Sequence, residues 1–70
     1  MVLTIHIAGG GVSLEVEGGV FPFTVEWADG EREEKRTRHF GHFYKRSGLF
    51  HVSVKDGSGA RTGSNVEVTV

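Results

Sequence analysis

The four histidines are the residues of this chain best suited to chemistry, because neutral imidazole binds zinc and nickel. They are His6, His39, His42 and His51. Side chains three positions apart on a strand point to opposite faces, so His39 and His42 converge only if Gly41 forms a bulge. We therefore predict no metal site, with His51 on the surface.

The carboxylates and hydroxyls do not form a recognisable calcium-binding or catalytic site. Asp29 and Asp56 carry oxygens of the kind that calcium prefers, but no compact loop provides the six to eight that it takes. Each of the two precedes a glycine, which is typical of a carboxylate that caps a turn. The serines lack the sharp elbow of a nucleophile, and no helix follows the glycine run 9–11 to hold a phosphate. We predict no catalytic residue and no cofactor.

Apolar residues alternate with polar ones along most of the chain, which is the period of half-buried strands. Glycine-rich turns separate the runs. Residues 31–38 contain no apolar side chain and are predicted to form an exposed edge strand or a loop. We expect an all-β, two-sheet antiparallel sandwich of six or seven strands. The apolar runs are 3–8, 12–17, 21–27, 39–44, 49–55 and 66–70.

The composition limits the function classes. The chain of 70 residues is predicted to be one small domain, and without cysteine it has neither disulfides nor a thiolate metal site. Residues 32–46 carry an excess of basic side chains, but the net charge of the whole chain is only −1. This near-neutral charge argues against nucleic acid as a partner. Neither a signal peptide nor a membrane-spanning segment is recognisable.

Two stretches of the chain match recognisable signature patterns. Residues 25–30, Val-Glu-Trp-Ala-Asp-Gly, resemble the pattern hydrophobic-x-Trp-Gly-Asp-Gly, with Ala28 in the place of the first glycine. Residues 42–54 follow the spacing His-x-Tyr-x-x-x-Gly-x-(Tyr/Phe)-x-Val-x-Val, and residues 56–59 match an Asp-x-x-Gly turn. Both stretches resemble the signatures of PKD domains. The resemblance covers about residues 20–70, and it implies an immunoglobulin-like, PKD-like sandwich.

The resemblance implies structural roles for the matched residues. Trp27 would fill the space between the sheets, and the Tyr44 hydroxyl would hold a corner, as tyrosines do in related sandwiches. PKD domains are typically non-catalytic spacers or binding modules, so we expect no enzymatic activity. The matched residues are Trp27, Asp29, Gly30, His42, Tyr44, Gly48 and Phe50.

The segment 31–46 is the best candidate for contact with a partner. It mixes arginine, histidine and aromatic residues, which are enriched at interface hot spots. The alternative is a solvated loop that keeps the protein soluble. The candidate contact residues are Arg36, Arg38, His39, Phe43, Lys45 and Arg46.

Two functions remain open. The first is a phage virion component, such as a capsid decoration, head-fibre or tail-associated protein, that docks on a larger assembly or forms a homo-oligomer. Such a protein needs neither a signal peptide nor disulfides. The alternative is an adhesion or carbohydrate- or protein-binding module from a larger secreted or cell-surface protein, in which Phe21 and Phe43 are the aromatic residues able to stack on a sugar.

Overall fold

The chain forms seven antiparallel strands, most of them where the sequence alternates apolar and polar residues. A computed structural model describes residues 1–70. It contains no helix of the length and apolarity required to cross a membrane. The strands are β1 (Val2–Ala8), β2 (Gly11–Glu17), β3 (Phe23–Glu26), β4 (Arg32–Lys35), β5 (His39–Phe43), β6 (Gly48–Lys55) and β7 (Arg61–Val68).

The strands divide into two packed sheets, which confirms the predicted sandwich. One sheet has the order β1-β2-β5, and the other has the order β4-β3-β6-β7. The first strand pairs with β2 over its whole length, from Val2 opposite Glu17 to Ala8 opposite Gly11. The pairing of β2 with β5 is equally regular through Ser13 and Gly41, so the bulge considered at Gly41 does not form.

The inward faces of both sheets supply a core of thirteen buried apolar residues. Trp27 is fully buried between the sheets, as the resemblance implied. The prediction for 21–27 was wrong at its start, because β3 begins at Phe23 and Phe21 lies before it, 41% exposed. The ring of Phe21 instead packs edge-on against that of Phe23 at a centroid distance of 5.5 Å.

The charged stretch after the β3–β4 turn forms an edge strand. Its residues Arg32–Lys35 pair with β3 on one side only. A row of charged side chains on such an edge discourages pairing with other chains. The expectation of an exposed edge strand or loop is therefore confirmed.

The terminal residues lie at opposite ends of a molecule 34 Å long. Met1 lies beside Gly18, just after the end of β2. Val70 donates its backbone N–H to Ser47 Oγ and lies beside Gly10, just before the start of β2. We call these the Gly18 end and the Gly10 end of the sandwich.

Asp56 fastens the loops at the Gly18 end. Its carboxylate accepts hydrogen bonds from the backbone of Val20 at 3.1 Å, of Ala60 at 3.0 Å and of Ser58 at 3.0 Å, and from the Ser58 hydroxyl at 2.7 Å. The Ser58 hydroxyl above all lowers the pKa of Asp56, and together with the backbone donors it outweighs the opposing effect of burial. One carboxylate thus joins the β2–β3 loop to the β6–β7 turn.

Ala28 occupies a backbone conformation that favours glycine. Its φ is 68°, and it is the only non-glycine residue with a positive φ in the chain. A side chain in the left-handed region costs about 1–2 kcal/mol. The turn keeps this conformation because Trp27 N–H donates to the Glu31 carbonyl and Asp29 Oδ1 accepts from Glu31 N–H.

Replacing Ala28 with glycine is expected to stabilise the protein by about 1 kcal/mol, since strain relief exceeds the added entropy of the unfolded chain. Urea unfolding followed by the fluorescence of Trp27, the only tryptophan, measures this change. Ala60→Gly is the control, because Ala60 has no positive φ and its replacement should lower stability. Equal effects of the two substitutions would contradict the prediction.

Asp56→Asn is expected to lower the urea midpoint at neutral pH and to flatten its dependence on acid pH. A carboxyl with a lowered pKa in the folded state stabilises fully above its ordinary value of about 3.9 and loses that contribution as pH falls through the folded pKa. Urea midpoints between pH 2 and pH 7 test this expectation. The control is Glu67→Gln, because Glu67 is exposed. This substitution should leave the decrease of the urea midpoint at acid pH unchanged.

Candidate functional site

A column of four aromatic rings connects the two sheets near the Gly10 end. Trp27 stacks on His42 at 4.8 Å, His42 meets the edge of Tyr44 at 4.8 Å, and Tyr44 stacks on Phe50 at 4.1 Å. Trp27 directly follows β3 and Phe50 lies in β6, both on the side of the four-stranded sheet. His42 lies in β5, and Tyr44 directly follows that strand. The column holds the sheets in fixed relative positions.

Polar contacts fix the orientation of this column. The Nε2 atom of His42 lies 2.6 Å from Asp29 Oδ2, and the ring is 13% exposed. Burial alone would raise the pKa of Asp29, but the hydrogen bonds from His42 and from the Glu31 backbone lower it below its ordinary value. Asp29 therefore caps its own turn and holds the histidine ring at the same time.

Tyr44 ties the end of β5 to the end of β3. Its hydroxyl donates to the Trp27 carbonyl at 2.7 Å, and its backbone N–H donates to the Gly10 carbonyl at 2.8 Å. Burial, with a smaller effect of the nearby Asp29 carboxylate, raises the pKa of Tyr44 to about 12. The phenol therefore stays neutral and keeps its hydrogen bond across the whole neutral range.

The predicted contact residues fall into separate groups. Arg36 is exposed on the β4–β5 loop, which lies toward the Gly18 end, whereas exposed Lys45 and Arg46 follow β5 at the Gly10 end. The exposed ring of His39 lies 3.6 Å from Glu15 on the outer face of the three-stranded sheet. The structure therefore does not bring the six candidates together on one surface.

Arg38 is held within its own chain. Its guanidinium donates to the carbonyls of Gly18 at 2.7 Å and of Val16 at 3.4 Å. The same group lies 5.1 Å from the ring centre of Phe21 and 5.4 Å from that of Phe23. Contacts of this kind stabilise a loop and leave few donors for a partner. We therefore assign Arg38 to the structure of the Gly18 end.

Phe43 stands out on the surface because its side chain is 83% exposed. It lies at the end of β5 on the outer face of the three-stranded sheet, directly opposite Gly11. A Cβ atom added to Gly11 would lie 3.0 Å from Phe43 Cε1, so the ring rests against the bare backbone of β2. The absence of a side chain at Gly11 thus positions the phenyl ring.

A shallow depression of about 270 Å³ adjoins this ring. We call it the Phe43 platform. The depression forms because Gly41, which has no side chain, is paired with the small residue Ser13 across β5 and β2. The space above Gly41 is open, since an added Cβ would meet nothing within 4 Å. None of its lining residues is Asp, Glu, Lys or Arg; they are His6, Ala8, Gly11, Val12, Ser13, Gly41, His42 and Phe43.

Sequence reasoning identified Phe43 but missed its neighbours. His6, Gly11 and Ser13 lie about 30 residues away along the chain, and none of them carries a motif of its own. The one available signal is the alternation of β2, which places Ser13 outward opposite the outward positions of β5. No three His, Cys, Asp or Glu side chains are grouped as a metal site would require.

Tyr44 is expected to ionise with a midpoint near pH 12 in the folded protein and near pH 10 after unfolding in urea. A phenol whose folded pKa is raised stabilises fully below its unfolded pKa and loses that contribution as pH rises through the folded value. The protein should therefore become less stable between about pH 10 and pH 12.

Absorbance of tyrosinate measures this titration directly, because Tyr44 is the only tyrosine. The variant Tyr44→Phe supplies the blank spectrum and loses the hydrogen bond to the Trp27 carbonyl. A folded midpoint close to pH 10 would show that the hydroxyl is not held as described.

Comparisons with known proteins identify the fold. No protein-family model matches the chain, and no curated protein matches it. The PKD1 domain of the metalloprotease PrtV from Vibrio cholerae is similar in structure, with a TM-score of 0.80 and 13% identity over 99% of this chain and 94% of that domain. The PKD1 domain of Epp from Vibrio anguillarum has a TM-score of 0.76 and 22% identity over 99% of this chain and 90% of that domain.

These likenesses cover the whole sandwich, including residues 1–19, which the sequence resemblance left unmatched. The TM-scores of 0.80 and 0.76 establish the fold, whereas identities of 13% and 22% do not establish a shared ligand. The chain has the immunoglobulin-like fold of PKD domains.

Proposed function

We propose that this chain is a non-catalytic binding module of a larger extracellular or cell-surface protein, and that it holds a neutral saccharide against Phe43. The observation that carries the proposal is the 83% exposed ring, fixed over Gly11 beside a low, uncharged floor. Large exposed aromatic rings are costly to leave in water, and they are enriched where proteins bind ligands.

The shape of the platform suits a sugar ring. A pyranose has a face of C–H groups that packs on a phenyl ring, and its hydroxyls point outward from the rim. The Phe43 ring offers the apolar surface, while Ser13 and His6 provide hydrogen-bonding groups at the border of the depression. A depression of about 270 Å³ is below the usual range for drug-sized ligands, which favours a single sugar unit.

The charge of the platform favours a neutral ligand. Its lining contains no carboxylate, ammonium or guanidinium group. The nearest carboxylate on this face, Glu15 beside His39, lies two residue pairs further along the sheet, beyond Ser13 and Gly41. A charged ligand would be desolvated here without a partner of opposite charge, which is unfavourable.

The geometry of the fold suits a module within a longer chain. The first and last residues lie at opposite ends of the 34 Å axis, so the domain would extend a polypeptide instead of folding it back. The two similar structures are each a PKD1 domain of a named protein, and one of these proteins is a metalloprotease. They support the hypothesis of a binding module from a larger secreted or cell-surface protein, and they give no support to the virion hypothesis.

Phe43→Ala is expected to weaken binding to a neutral polysaccharide on the order of tenfold, since the stacking surface is lost. Affinity electrophoresis through gels containing glycol chitin, hydroxyethyl cellulose or xylan measures the retardation. Leu49→Ala is the matched control, because Leu49 is an exposed apolar residue on the other sheet. Loss of retardation in both variants would contradict the assignment.

A second variant blocks the depression without touching the ring. Gly41→Val fills open space, since nothing lies within 4 Å of the added Cβ, and it should weaken binding while Phe43 remains. Gels containing gelatin test a protein ligand instead. Retardation by gelatin alone, dependent on Phe43, would overturn the saccharide proposal and indicate a protein-binding module.

A further inference from the structure

The outer face of the four-stranded sheet carries a second depression, far from Phe43. It has a volume of about 100 Å³, and all four strands contribute to it. Its size is about three times the share of liquid volume that one water occupies, which corresponds to one small polyatomic ion. The polar side chains around it are Thr24, Glu26, Arg32, Ser53, Lys55 and Arg61.

The register of the sheet brings unpaired cations together here. Lys55 on β6 lies directly opposite Arg61 on β7, and like charges in such a position destabilise a sheet. Arg32 approaches from β4, on the opposite side of β3. None of the three belongs to an ion pair, since the one ion pair that involves a lysine or arginine joins Lys35 to Glu33.

The carboxylates on this face do not neutralise the three cations. Glu26 lines the depression and lies opposite Arg32, without forming an ion pair with it. Glu34 lies beyond Thr24 at the β4 edge and does not line the depression. Three cations and one carboxylate leave two positive charges around the site, which matches a doubly charged anion.

Two hydroxyl groups point to a ligand independently of charge. The side chain of Thr24 lines the depression and is only 7% exposed, yet its hydroxyl forms no hydrogen bond within the protein. The hydroxyl oxygen of Thr24 is not among the fully buried polar atoms, so it is accessible from the depression. Ser53 lies between Glu26 and the bare backbone of Gly63, which leaves its hydroxyl open as well. Buried hydroxyls such as that of Thr24 are normally paired, whereas the Ser53 hydroxyl is half-buried, and both are available to donate.

We propose that this depression binds one tetrahedral oxyanion, a sulfate or phosphate group. Arg32, Lys55 and Arg61 surround the anion from three strands, and charge-assisted hydrogen bonds from such groups are the strong ones. The hydroxyls of Thr24 and Ser53 donate to its remaining oxygens from the floor. The bound anion removes the repulsion between Lys55 and Arg61, so it stabilises the fold.

The site lies on the sheet opposite the Phe43 platform, so its test does not depend on the saccharide proposal. The sulfate or phosphate is either a free ion or an ester on a larger molecule, and both present the same group to the three cations. A sulfated polysaccharide would place such an ester beside neutral sugar units.

Titration with sodium sulfate and sodium phosphate tests the site, with sodium chloride at equal ionic strength as the reference. We expect saturable shifts of the backbone amide signals of Thr24, Ser53 and Lys55, together with a raised melting temperature. The double variant Lys55→Ala/Arg61→Ala should bind sulfate on the order of tenfold more weakly. Thr24→Val should weaken binding with the charges intact.

The matched control is Lys45→Ala/Arg46→Ala, which removes two exposed cations at the Gly10 end. It should bind sulfate as the unmodified protein does, and Trp27 fluorescence verifies that every variant is folded. Equal effects of sulfate and chloride, or equal loss in both double variants, would overturn the proposal.

Dextran sulfate and unmodified dextran separate the two sources of the anion. Dextran sulfate that binds more tightly than free sulfate, with unmodified dextran inactive, supports a sulfate ester on a polysaccharide. If inorganic phosphate binds more tightly than either inorganic sulfate or dextran sulfate, the ligand is a phosphate ion or a phosphate ester. Dextran sulfate binding that persists in Lys55→Ala/Arg61→Ala would place the contact elsewhere and overturn the site.

Discussion

The aromatic column from Trp27 to Phe50 is the interaction on which the rest of the structure depends. Many small sandwiches join their sheets with a disulfide, and this chain has no cysteine. Its two inner rings, His42 and Tyr44, come from the side of the three-stranded sheet, and its two outer rings, Trp27 and Phe50, come from the side of the four-stranded sheet, so separating the sheets would break both stacked contacts. The bond from the Tyr44 hydroxyl to the Trp27 carbonyl fixes their register. Dispersion and hydrogen bonding together replace the covalent link.

Two aspartates extend this rigidity to the loops. Asp29 at the Gly10 end caps its turn and holds His42, and Asp56 at the Gly18 end gathers three backbone N–H groups and one hydroxyl. With both ends fastened, the outer faces of the sheets become stiff surfaces. A ligand that binds to such a surface loses little affinity to the ordering of the protein, because few groups remain to be ordered.

The two outer faces carry different chemistry on the same scaffold. The face of the three-stranded sheet presents an exposed phenyl ring and bare backbone, and the face of the four-stranded sheet presents three unpaired cations and open hydroxyls. We propose the first for a neutral sugar and the second for an oxyanion. A sulfated polysaccharide contains both groups, and one module with two such faces would contact separate parts of one polymer, or two polymers at once.

The sequence by itself determined most of the fold, because strand formation depends on a local period of two and on turn residues such as Asp29-Gly30. The resemblance to PKD signatures was sufficient to place Trp27 between the sheets. Pairing between distant strands decided the rest. Only the register of β2 with β5 places Gly11 and Ser13 beside Phe43, and only that of β6 with β7 sets Lys55 against Arg61. A local period shows which face a side chain occupies, whereas its neighbours on that face come from strands far away in the sequence.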